Sequence, residues 1–221
     1  MTGDAAALNP PNETRQALEH MAVKYPALAG TLPEMEQAYN ILRQCFAGGG
    51  TLFVCGNGGS MSDAIHISGE LNKAFKRSRP IPEDHYERLK PYTNGYDLGS
   101  YLQRGLRTIV LGINPALASA IDNDFPLSHL GLAQELYALA RPGDVFMGIS
   151  TSGNARNINY AVGVARMLQL PVIGLSGETG GRLAEQADVT IHAPAGEPAE
   201  VQAFHVILYH TLCEMLEITF F

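Results

Sequence analysis

Five short apolar runs rich in Val, Ile and Phe recur along the chain, at 51–56, 107–113, 144–150, 171–177 and 188–194. Runs that are apolar throughout, rather than alternating with polar residues, read as strands covered on both faces, as in a parallel sheet. The stretches between them at 60–76, 127–140 and 153–168 have helical periodicity. Alternation of this kind predicts a doubly wound α/β sheet, whose ligands gather at the carboxyl ends of the strands.

Ahead of the first strand, "TLPEMEQAYNILRQCF" offers Thr31 and Glu34 as a capping box, Pro33 in the first turn, and a stripe of Met35, Ala38, Tyr39, Leu42, Cys45 and Phe46. Such a stripe is core or subunit contact rather than chemistry. The segment "LNPPNET" at 8–14 reads as an irregular lead-in. The chain of 221 residues is long enough for one domain with a sizeable core, here 31–221, preceded by a helical arm over 1–30.

The first strand runs into "VCGNGGSMSDAIHISGEL" (54–71). Gly56, Gly58 and Gly59 permit positive φ and close backbone approach, and Ser60 stands where a helix begins, which makes an anion cradle of free N–H groups and a hydroxyl. A plain capped βα turn accounts for an isolated motif of this kind equally well. A second loop alters the balance: "ISTSGNARN" (149–157) also follows an apolar strand, presents Ser150, Thr151 and Ser152 beside a glycine, and leads into a helix. Neither loop has the lysine of a P-loop or the spacing of a dinucleotide fingerprint, so a phosphate monoester fits better than a nucleotide.

His66 and Glu70 lie four apart on the helix that follows the first loop, on one face, where they could share a metal ion or divide a proton transfer. The simpler alternative is a surface pair worth a few tenths of a kcal/mol. The last helix, "EVQAFHVILYHTLCEMLE" (200–217), is largely apolar yet carries Gln202, His205 and His210. Periodicity groups His205 with Gln202, and spacing alone leaves open which histidine acts.

A net charge of −7, from 15 basic and 22 acidic side chains, argues against a nucleic-acid surface and leaves room for a small anionic ligand. No apolar run is long enough to span a bilayer, and the N-terminus lacks the pattern of a secretion signal, so a cytoplasmic location is expected. Cys45, Cys55 and Cys213 have no metal-like spacing and read as reduced thiols in a core.

The segments "GNGGSMSDAIHISGEL", "GISTSGNARN" and "EVQAFHVILYH" resemble, in order, the signature segments of sugar isomerase (SIS) domain proteins, specifically the phosphoheptose isomerase branch. The resemblance runs from about residue 31 to the C-terminus. It implies a five-stranded parallel sheet flanked by helices, a flavodoxin-like three-layer sandwich, and conversion of a ketose phosphate to an aldose phosphate through an enediol. Sedoheptulose 7-phosphate is the implied substrate. By position, Glu70 would be the base and His210 the partner acid, a choice that displaces His205. His66, Glu70, Gln202 and His210 match the family's zinc ligands. Asn57, Gly58, Gly59, Ser60, Asn114, Ser150, Thr151, Ser152 and Gln202 fall where that family contacts substrate and phosphate. The branch forms homotetramers with sites between subunits. Two positions depart from its pattern: Asn114 stands where aspartate is common, and Ala155 where a serine is expected. Relatives in the branch also include non-catalytic scaffolds that bind a replication initiator and sugar-phosphate sensors, and the presence of all four ligand-type side chains favours the enzyme.

An extra segment, 76–107, separates the first motif helix from the second strand and carries His85, Tyr86, Tyr92, Tyr96 and Tyr101. It is too aromatic for a disordered linker and too long for an ordinary helix-to-strand turn. Short helices are expected near 83–90 and 97–105. The segment is either a surface elaboration or a cover over the strand ends, with Lys76, Arg77 and Arg79 near the phosphate.

Overall fold

A computed structural model describes residues 11–221, so residues 1–10 of the expected arm lie outside the described residues. The five apolar runs form one parallel sheet: β1 (Leu52–Gly56), β2 (Thr108–Val110), β3 (Val145–Ser150), β4 (Val172–Ser176) and β5 (Val189–His192), in the order β2-β1-β3-β4-β5. Every residue of β1, β3 and β4 is buried, as continuous apolar runs require when helices cover both faces. β2 lies at an edge and alternates, with Ile109 exposed between Thr108 and Val110.

The helices form the two outer layers. On one face, α1 (Asn12–Lys24), α2 (Leu32–Ala47), α3 (Gly59–Asn72) and α9 (Pro198–Phe220) bury Met21, Met35, Leu42, Ile67 and Leu212 against Leu52, Val54 and Met147 of the sheet. On the other, α6 (Gly131–Leu139), α7 (Arg156–Met167) and α8 (Gly181–Gln186) pack Leu136, Ala161, Val162 and Leu183 onto Phe53 and Phe146. The three cysteines are free and buried. No helix among the described residues is long and apolar enough to cross a membrane.

Several local expectations are corrected. The helix α1 already begins at Asn12, inside the lead-in read as irregular. The capping box does not form: a 3-10 turn at Pro26–Thr31 runs straight into α2, so Thr31 Oγ1 donates to Leu28 O and Glu34 accepts from His192 instead. The sequence reading also left out α5 (Pro115–Asp124), which Asn114 caps by accepting from Leu117 N at 3.1 Å, with Pro115 at its first turn.

The 76–107 segment holds one short helix, α4 (Glu83–Leu89), and a 3-10 turn, Lys90–Tyr92. The helix expected at 97–105 is replaced by turns and a single antiparallel bridge between Pro80 and Gln103. Gly99 lies against the Tyr86 ring, leaving no room for a side chain there. Within its own chain the segment joins the end of α3 to the start of β2, at the amino edge of the sheet. It therefore does not cover the strands' carboxyl ends. Its basic start also turns away from the anion loops: Lys76 pairs with Glu214, Arg77 with Glu13 and Arg79 with Glu217.

Candidate functional site

Strand order places the two glycine-rich loops together. Chain direction across the sheet reverses between β1 and β3, and the crevice at such a switch point opens at the strands' carboxyl ends. The loop after β1 and the loop after β3 flank that crevice. Asn57 and Asn157 join them with a reciprocal amide pair, Nδ2 to Oδ1 at 2.9 Å and 2.8 Å. Asn157 lies within the second motif but had no role in the sequence reading; only the fold sets it opposite Asn57.

The two loops differ in exposure. Asn57, Gly58 and Gly59 are exposed and Ser60 is buried on the first turn of α3; in the second loop Ser150 is buried, Thr151 half-buried and Ser152 exposed. Ser152 Oγ accepts from Asn154 N at 3.2 Å, an ST turn that shapes the loop. Gly153 has φ of +67°, and a Cβ there would come within 1.7 Å of Gly180 O, so only glycine fits. Ala155 precedes α7 without a side-chain cap, as expected of the missing hydroxyl. Asn114 lines a small cavity beside Asn57, His129 and Asn157.

The chemistry-bearing residues lie on α3 and α9, which both start at the carboxyl edge and run side by side. Glu70 Oε1 is 3.1 Å from His66 Nε2, and His210 Nε2 is 3.3 Å from that same nitrogen. One ligand atom from each of His66, Glu70 and His210 lies within 4.8 Å of the others. Two imidazole nitrogens and a carboxylate at such separations make a donor set suited to a divalent ion such as zinc. The Phe75 ring stacks on His210, with centroids 5.4 Å apart and planes inclined by 19°. Burial, helped by nearby His66, moves the His210 pKa below the ordinary histidine value.

Gln202 is not brought to this cluster within one chain. Its carboxamide rests on Gly59, where a Cβ would sit 2.5 Å from Nε2, and Gly59 is two turns from His66 along α3. His205 is fully buried, and its Nε2 donates to Ser176 O at 3.2 Å. It is a core histidine, bonded through Nε2 with Nδ1 buried and without a hydrogen-bond partner among the described residues, and it stands apart from the His66, Glu70 and His210 cluster, so the preference that periodicity gave it does not hold.

The SIS domain family model matches residues 125–216, and a second SIS domain model matches 27–89. The chain is similar to a phosphoheptose isomerase of Helicobacter hepaticus, 34% identical over 84% of this chain and 82% of that protein. A phosphoheptose isomerase of Geotalea daltonii is 36% identical over 84% and 83%. Among solved structures, a phosphoheptose isomerase from Francisella tularensis superposes with a TM-score of 0.69 at 27% identity, covering 93% of each chain.

Proposed function

Because the chain belongs to the SIS domain family, in its phosphoheptose isomerase branch, we propose that it is an aldose–ketose isomerase of a phosphorylated sugar. The reaction proposed is sedoheptulose 7-phosphate to D-glycero-D-manno-heptose 7-phosphate through an enediol. The observation that carries this reading is the meeting of Glu70 and His210 over His66, while His205 lies fully buried against Ser176 O.

Moving a carbonyl by one carbon requires a proton to leave the carbon beside it and a proton to reach the neighbouring position. The Glu70 carboxylate acts as the base on carbon, and His210 exchanges the proton on the substrate oxygen. Burial holds the His210 pKa below the ordinary histidine value, which favours the neutral imidazole that such an exchange needs. The stacked Phe75 holds the plane of its ring. The backbone amides of Gly58 and Gly59 and the hydroxyls of Ser60, Ser150, Thr151 and Ser152 bind the phosphate, with Asn57 and Asn114 on the sugar. Gln202, lying over Gly59, belongs with these substrate contacts.

His66, Glu70 and His210 would hold a zinc ion, which supplies Lewis-acid polarisation of the carbonyl and its oxyanion. The cluster faces outward, and exposed Ile65 and Val206 accompany it on α3 and α9. An apolar surface around an open polar cluster supports a homotetramer in which subunits meet over the site. The deciding experiment is incubation of purified protein with sedoheptulose 7-phosphate, with and without Zn²⁺, followed by NMR. The aldose phosphate should accumulate; its absence under both conditions rejects the isomerase.

A further inference from the structure

Behind the His66–Glu70–His210 cluster, on the side toward the sheet, stand three polar side chains that the reaction does not use. Tyr209 is 2% exposed, Asp63 7% and His205 0%. Tyr209 Oη lies 2.8 Å from His66 Nδ1, and their rings meet edge to face with centroids 5.4 Å apart. The Asp63 carboxylate neighbours the same hydroxyl and interacts with it electrostatically, and its buried Oδ2, which has no hydrogen-bond partner among the described residues, faces His205 Nδ1 at 4.0 Å.

The outer nitrogen of His66 has a different environment. Nε2 looks at Glu70 Oε1 and His210 Nε2, and a metal shared by these three groups needs Nε2 with its lone pair free. A neutral imidazole then carries its hydrogen on Nδ1, and that hydrogen needs an acceptor. A phenol can accept one hydrogen bond and donate another. We infer that Tyr209, backed by Asp63, is the positioning residue for His66: its oxygen accepts from Nδ1–H, its own hydrogen goes to the Asp63 carboxylate, and Nε2 is thereby aimed at Glu70 and His210. This rests on the metal reading above. Packing alone does not call for the hydroxyl, because a buried phenol without partners is less stable than a phenylalanine of the same shape.

The test compares the unsubstituted protein with Tyr209→Phe, which keeps the ring contacts with His66 and His210, and with Asp63→Asn. Zinc affinity, read by competition with a chromophoric chelator, should fall about 10–100-fold in Tyr209→Phe, as for other groups that orient a metal-bound histidine. In Asp63→Asn the hydroxyl is freed to donate to His66 Nδ1, which favours the wrong tautomer, and a smaller loss is expected. Nitrogen-15 NMR of the zinc-loaded protein should place the His66 hydrogen on Nδ1, with that resonance displaced in Tyr209→Phe. Tyr209→Phe with unchanged zinc affinity and an unchanged Nδ1 resonance overturns the inference. If Tyr209→Phe does not fold, the same two readouts unchanged in Asp63→Asn overturn it. If the unsubstituted protein takes up no zinc, the metal reading falls instead. The His66 Nδ1 resonance without metal then decides: a shift in Tyr209→Phe upholds the role of Tyr209, and no shift overturns it.

Discussion

The two ends of the α3–α9 pair are built from different materials. At the loop end, glycines, hydroxyls and amides present hydrogen bonds and no formal charge, from backbone whose shape is fixed by close approach, as where Gln202 rests on Gly59. At the other end, His66, Glu70 and His210 present titratable side chains from regular helix, fixed by one another and by Phe75 and Tyr209. Seven residues of helix, about 10 Å, separate Gly59 from His66. The distance between the two ends limits how far the charge of a bound phosphate perturbs the acid and base. The separation also suits a long sugar phosphate whose carbonyl and phosphate are at opposite ends.

Breaking the charged end should have the largest effect. Glu70→Gln and His210→Gln should each lower kcat by about 10²–10⁴ with a much smaller change in KM, while His205→Gln, off the reaction path, should change kcat far less; steady-state kinetics distinguishes them. Next is the join that holds this end together. Arg79 is fully buried, donates to Glu217 Oε1 at 2.8 Å, and reaches the carbonyls of Leu71 and Glu70 at 2.9 Å and 3.1 Å. Arg79→Met leaves Glu217 buried without its guanidinium and should destabilise the fold by about 3–5 kcal/mol in denaturant unfolding. At the loop end, Ser152→Ala should raise KM for the sugar phosphate roughly tenfold and alter kcat little, one charge-assisted hydrogen bond being lost.

The smallest effect is one of pH. Burial pushes the Asp63 carboxyl up to about 6 and holds the His205 imidazole down to about 4. Between those values the folded pair is a neutral acid and a neutral imidazole, whereas unfolded they are a carboxylate and an imidazolium. Both states bind one proton, so the pair adds no slope to stability. Asp63's contribution is present at low pH and lost as pH rises through about 6; His205's is present above its unfolded value and lost as pH falls toward 4. Asp63→Asn removes the first and leaves the second. Its Tm should therefore fall more steeply than that of the unsubstituted protein on acidification from pH 6.5 to 4.5; parallel curves would refute the compensation.

The sheet was legible because burial on both faces leaves an unbroken apolar run, a pattern local to each strand. The loops were legible for a related reason: glycine and hydroxyl at a strand end are demanded by local backbone geometry. What was not legible depends on distant partners. Glu34 has the spacing of a capping residue, yet binds His192 from β5. Lys76, Arg77 and Arg79 resemble a phosphate patch but are held by carboxylates from α1 and α9. Periodicity favoured His205 because it measures angle around one helix and not what faces that helix; the sheet faces His205, and solvent faces His210. Tyr209, beside His210 in sequence and apolar in pattern, gave no signal of its contact with His66.

The helices α3 and α9 run in the same direction, and their contacts keep step: Gly59 with Gln202 and His66 with Tyr209 are each 143 residues apart. They behave as two rails with matched rungs. A single residue inserted in either helix between these rungs would turn everything beyond it by about 100° and advance it by about 1.5 Å. Glu70 would then swing off His210, although each helix remained intact. Within this pair, length can change without that penalty beyond the last rung, where Phe75 and Lys76 hand their amides to Glu217. The 76–107 segment begins at that point, so the chain can vary there without disturbing the spacing between loop and imidazoles.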